Sequence, residues 1–156
     1  FSDRLRRRSD FRDGPWWRLF RVRAATAAHR VVWGDLAPCL EAATLLDPAA
    51  IPLNSCYVLA LPDAATSHAV AAWLNSAPIR AMARLSAEPA AGGAARFGAR
   101  TVGQVPWVAA AAHHPLLQHP LTDAGAFGAI DDVVADQLGL DHHDRTALAP
   151  LATRRR

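Results

Sequence analysis

The chain has 156 residues, 51% of them apolar, and carries a formal net charge of +3 with a pI near 9.6. That length supports one domain with a substantial core and is short for two, while the apolar content excludes a disordered chain. No apolar run approaches the roughly 20 residues of a membrane span, and the mild positive charge permits a nucleic-acid partner without requiring one.

The opening residues, Phe1-Ser2-Asp3-Arg4, differ from a basic and then apolar leader, so the chain reads as an excised piece without a secretion signal. Cys39 and Cys56 stand apart from any Cys-x-x-Cys pattern, which fits a reducing, cytoplasmic compartment. All 17 Lys-or-Arg positions are arginine. A GC-rich genome accounts for that bias. Arginine nonetheless grips phosphate or a guanine edge in two-pronged fashion, where lysine offers one point charge.

In chain order, residues 1–14 carry Arg4, Arg6, Arg7, Arg8 and Arg12 among aspartates and read as a mobile, solvated lead-in. The domain itself is expected over residues 15–151, with a basic tail at 152–156. Trp16 to Arg23 and Arg30-Val31-Val32-Trp33 favour β-structure and read as two strands near a sheet edge. Ser55 to Leu61 is the best strand in the chain, apolar enough to be central. Pro62-Asp63 stops it, and Asp63 or Thr66 can cap a helix burying a face of Val70, Trp73 and Leu74.

Ser76 can cap a second helix, with Pro78 in its first turn, an apolar stripe of Ile79, Met82 and Ala83, and Arg80 and Arg84 on the other face. A loop follows around Gly92-Gly93, then Arg96-Phe97 and a stretch closed by Pro106, then a His- and Pro-rich linker from His113 to Pro120. Ile130, Val133, Val134 and Leu138 predict a further helix with Asp131 and Asp132 in its first turn and Gly139 at its left-handed stop. Asp141 is placed to cap a short closing helix. The alternation predicts an α+β fold, a small mixed sheet with packed helices.

Several of these features, in this order between Trp17 and Leu151, resemble the C-terminal target-recognition region of adenine-specific DNA methyltransferases and restriction-modification enzymes. They are Trp17-Arg18-Leu19 with Arg30 to Asp35; Asn54-Ser55-Cys56-Tyr57-Val58; Leu74-Asn75-Ser76; Gly92 to Phe97 running on to Gln104-Val105-Pro106; and the helix from Asp131 to Leu140. The chain departs from the pattern at Ala94 and Ala95, where the family often has aromatic residues.

The resemblance implies a bilobal parent, whose N-terminal methyltransferase lobe holds S-adenosylmethionine and an Asn/Asp-Pro-Pro-Tyr/Phe motif while the C-terminal lobe grips double-stranded DNA. Neither that motif nor a Gly-x-Gly loop occurs here: Asp47-Pro48 continues into Ala49. The expected activity of this chain is therefore DNA binding, with no cofactor of its own.

The candidate DNA contacts are Arg18, Arg21, Arg23, Arg30, Arg96 and Arg100. A strand carries Arg21 and Arg23 on one side, and a helix would carry Arg96 and Arg100 on one face; both sets read equally as solvated surface. Trp16, Trp17, Trp33 and Trp107 could stack on an unpaired base, though buried packing is the commoner use. His113, His114, His119, His142 and His143 lack metal-ligand spacing, and Cys56 lies mid-strand in apolar company, unfavourable to a nucleophile. A competing reading is a protein-interaction domain that docks on a partner lobe with little DNA contact.

Overall fold

The computed structural model describes residues 2–7, 23–121 and 126–152. The expected strand from Trp16, with Arg18 and Arg21, lies outside the described residues apart from Arg23. Within the lead-in, Ser2–Arg6 form a short helix, α1, with Asp3, Arg4 and Arg6 exposed.

The fold is α+β. Strands β1 (Arg30–Gly34), β3 (Ala42–Leu45) and β4 (Cys56–Ala60) form an antiparallel sheet of order β3-β1-β4. A second small sheet joins β2 (Leu36–Ala37), β6 (Ala95–Arg96) and β5 (Glu88–Pro89) in the order β2-β6-β5. The centre of the larger sheet is therefore β1, not β4 as hydropathy suggested. Val31 and Trp33, two apart, point to one face and are buried, whereas β4 is half-buried at first and exposed at Leu59 and Ala60. Their register pairs Val31 with Leu59 and Trp33 with Tyr57.

Helix α2 (Ala64–Asn75) starts where expected: the Asp63 carboxylate accepts the Thr66 N–H at 2.7 Å. Burial exceeds the one predicted face, because every residue from Ala69 to Asn75 is buried. Its alanines let the sheet and the later connection close on it from different sides. The supposed linker is part of that packing, with 3-10 turns at Ala109–His113 and Pro115–Leu117 and with Ala111 and Leu117 fully buried.

At the α2–α3 junction Asn75 pairs with both backbone groups of Ala42, accepting its N–H at 3.0 Å and donating to its carbonyl at 2.6 Å. The amide acts like one residue of an added strand at the β3 edge. The expected cap at Ser76 is not made, since its hydroxyl donates to the Trp73 carbonyl at 2.7 Å. Instead Asp131 accepts the Ala77 N–H at 2.6 Å from across the fold.

Helix α3 (Ala77–Ser86) buries Ile79 and Ala83 as predicted, but its arginine face is not solvated. Arg80 is buried and donates to Cys39 Sγ at 2.9 Å, and Arg84 is half-buried. After α4 (Ala99–Val102), α5 (Ala126–Gln137) begins early enough that Asp131 lies beyond its first turn. Gly139, at φ +68°, ends it as predicted, in a motif that pairs Gly139 N–H with Asp136 C=O and Leu140 N–H with Ala135 C=O. Helix α6 (His142–Ala152) opens on a reciprocal cap: Asp144 N–H donates to the Asp141 carboxylate at 2.8 Å, and Asp141 N–H to that of Asp144 at 3.2 Å. Among the described residues no helix is long and apolar enough to cross a membrane.

Candidate nucleic-acid interface

The two-glycine loop is the tip of a hairpin between β5 and β6. Glu88 lies opposite Arg96 and Pro89 opposite Ala95, and Ala90 N–H donates to Ala94 C=O at 2.9 Å to close the turn. Gly92 and Gly93 take φ of +70° and +79°, a region that side chains with a Cβ rarely adopt. The chain can thus reverse within a few residues and bring Arg96 back on the returning strand.

Strand alternation decides which side chain faces outward. Ala95 and Phe97 are fully buried, so Arg96 between them must point to solvent. Its guanidinium pairs through Nη1 with the carboxylate of Asp35. Asp35 is held by its own backbone, donating to Ser55 C=O at 2.9 Å and accepting Phe97 N–H at 2.7 Å. The carboxylate therefore comes from a fixed point and orients an arginine whose side chain is 49% exposed. Nε and Nη2 stay available to an acceptor from outside, such as a phosphate or a base edge.

Arg96 and Arg100 do not share the helix face that their spacing would allow. Arg96 is on β6, and the exposed Arg100 is on α4, with buried Phe97 and extended Gly98 between them. Phe97 anchors the crossing, because its carbonyl accepts the Trp33 indole N–H at 2.8 Å. The two guanidiniums come from one continuous surface segment, but through a strand and a helix start.

The remaining candidates separate. Arg23 is exposed in a turn, while Arg18 and Arg21 lie outside the described residues. Arg30 is corrected: it is fully buried, and its guanidinium donates to the carbonyls of Ala25, Ala50 and Asp47, the Ala50 bond at 2.8 Å. It closes the loops around the end of β1 and faces no solvent. Trp33 is a packing residue, 7% exposed and stacked on Tyr57 at 5.8 Å. Trp107 is 43% exposed and meets Trp73 edge-on at 5.4 Å.

Sequence reasoning missed Asp35, whose partner is 61 positions away, and Arg84, which reaches the Gly93 carbonyl at 3.4 Å beneath the loop. No local pattern marks the first. The second had a signal, since Arg84 lies in the last turn of the helix that leads directly into the hairpin. Elsewhere, Cys39 and Cys56 are both free, and burial lowers the pKa of His68, favouring neutral imidazole. Among the described residues no group of three or more His, Cys, Asp or Glu is arranged to hold a metal ion.

No protein-family model, curated protein or solved structure matches the chain.

Proposed function

We propose that this chain is the DNA-binding target-recognition module of an adenine-specific DNA methyltransferase or restriction-modification enzyme, acting with a catalytic lobe outside it. The observation that carries the reading is the β5–β6 hairpin, which holds Arg96 outward between two buried residues, orients it through Asp35 and is followed by exposed Arg100. An arginine steadied by a carboxylate loses less side-chain freedom on binding than a free one. Arg96 then suits a groove edge and Arg100 a phosphate, with the duplex positioned for chemistry done by the other lobe. The free cysteines accord with a cytoplasmic setting.

The test is fluorescence anisotropy of a labelled duplex across salt concentrations. Isolated affinity is expected at about 10⁻⁴ to 10⁻⁶ M near physiological salt. Arg100→Ala should lower the slope of log affinity against log salt by about 0.9, as for one lost phosphate contact. Arg96→Ala should relax sequence preference. Unchanged binding in both variants, with folding intact, would remove this face from the DNA path. Tight binding of S-adenosylmethionine by the isolated chain would count against the assignment.

The second reading, docking on a partner lobe, draws on Leu46, Ile51 and Leu53, all exposed between β3 and β4, with exposed Leu59 on β4. Association through such side chains would vary little with salt, whereas phosphate neutralisation gives a steep dependence.

A further inference from the structure

The aromatic residues of β1, β4 and α2 border a cleft of about 620 Å³ with the segment from α4 to Trp107. That volume lies within the range of small-molecule sites. Two walls are pinned by the indoles themselves: Trp33 donates to Phe97 C=O and Trp73 to Pro106 C=O, each at 2.8 Å. Both bonds tie the sheet and α2 to the segment that forms the opposite side, so the space does not depend on a ligand to open it. Trp107, edge-on to Trp73, stands at the border in partial contact with solvent.

The chemistry of the lining is narrow. Among the described residues no Asp, Glu, Arg or His borders the cleft, so a charged ligand would lose its hydration there without a compensating partner. Both buried indole N–H groups are already committed to carbonyls, and Thr66 is engaged with Asp63 at the start of α2. Tyr57 lines the cleft, and its hydroxyl, beside Gly98, supplies a polar handle. Aromatic faces and edges favour a flat partner.

We propose that this cleft binds a neutral, flat, mostly apolar molecule of two or three rings bearing one hydrogen-bonding substituent. The cleft borders α4, which also carries Arg100, but the inference does not rest on the DNA reading and survives its failure. N-phenyl-1-naphthylamine is the probe, being neutral, aromatic, equipped with one N–H and brighter in apolar surroundings. It should bind saturably at one site per chain and quench tryptophan emission. Its sulfonated relative, 8-anilinonaphthalene-1-sulfonate, has the same rings plus a negative charge and should bind at least about tenfold more weakly.

Trp107→Ala, which removes a bordering ring, and Ala112→Trp, which fills the space, should each weaken the neutral probe by about tenfold while circular dichroism stays unchanged. Should Ala112→Trp fail to fold, Trp107→Ala decides alone, because that side chain is already partly solvated. Absence of saturable binding, equal affinity for the sulfonate, or parental affinity in the folded variants would overturn the proposal.

Discussion

Arg30 on β1 and Arg96 on β6 both leave short antiparallel strands, yet they end in opposite surroundings. Arg30 is fully enclosed and spends its guanidinium on three backbone carbonyls of neighbouring loops. Arg96 stands between two buried residues, points to solvent and meets one carboxylate. An arginine that closes loops is part of the fold, and an arginine steadied at a surface is available to a partner. Residue type and strand conformation are the same in the two places, so the distinction lies in what the rest of the chain brings alongside.

The comparison breaks most sharply at Arg30. Arg30→Met keeps an aliphatic stem but leaves three carbonyls unpaired, and should destabilise the fold by about 3 kcal/mol in urea titration. If Arg30→Met instead leaves stability intact and flattens the salt dependence of DNA binding, the two arginines have been assigned the wrong way round.

Asp131 tests the same idea with the opposite charge. Asp131→Ala deprives the Ala77 N–H of its acceptor and should cost about 1–3 kcal/mol, whereas Asp131→Asn retains an acceptor and should cost less. Burial raises the Asp131 pKa, outweighing the Ala77 hydrogen bond and the nearby Arg80, which both act to lower it. The folded state thus holds this proton more tightly than the unfolded chain. The stabilising contribution is complete below the ordinary carboxylate range and is lost as pH rises through the raised folded value. Thermal melts across that window should be flatter for Asp131→Asn than for the parent.

Arg96→Ala should change stability by less than about 1 kcal/mol, because its ion pair is partly solvated. Asp35→Asn leaves the arginine charged but less firmly oriented. It should blur sequence preference while the salt slope stays near that of the parent, and equal loss of both would identify Arg96 as a mere phosphate contact.

The smallest effect is expected at Asp63, fully exposed at the start of α2. Its hydrogen bonds with Thr66 lower the carboxyl pKa, so its contribution is present above the ordinary carboxylate range and fades as pH falls through the lowered value. Asp63→Asn, which retains the cap without ionising, should abolish that acid-side loss. Melting curves from mild to strong acid would measure it.

Features closed by residues near one another were legible in the chain alone. The cap at Asp63 joins positions three apart, the left-handed stop at Gly139 follows from backbone conformation, and Asp141 caps α6 through Asp144. The apolar periods of α2 and α3 likewise announced helices, because 3.6-residue spacing is a local property. The outward turn of Arg96 was half legible: it stands between apolar neighbours, but its spacing to Arg100 would equally suit a helix face, and the chain makes a strand there.

What only the tertiary structure decided depends on groups far apart in sequence. Ala77 finds its acceptor 54 positions on, Ala42 finds Asn75 after 33, and Arg96 meets Asp35 across 61. The same holds for the central place of β1, set by two partner strands, and for the burial of Arg30, set by carbonyls of three loop residues. Local spacing determines which conformation a segment prefers. It carries no record of which distant carbonyl or carboxylate will arrive, and that arrival decides whether an arginine is enclosed or exposed.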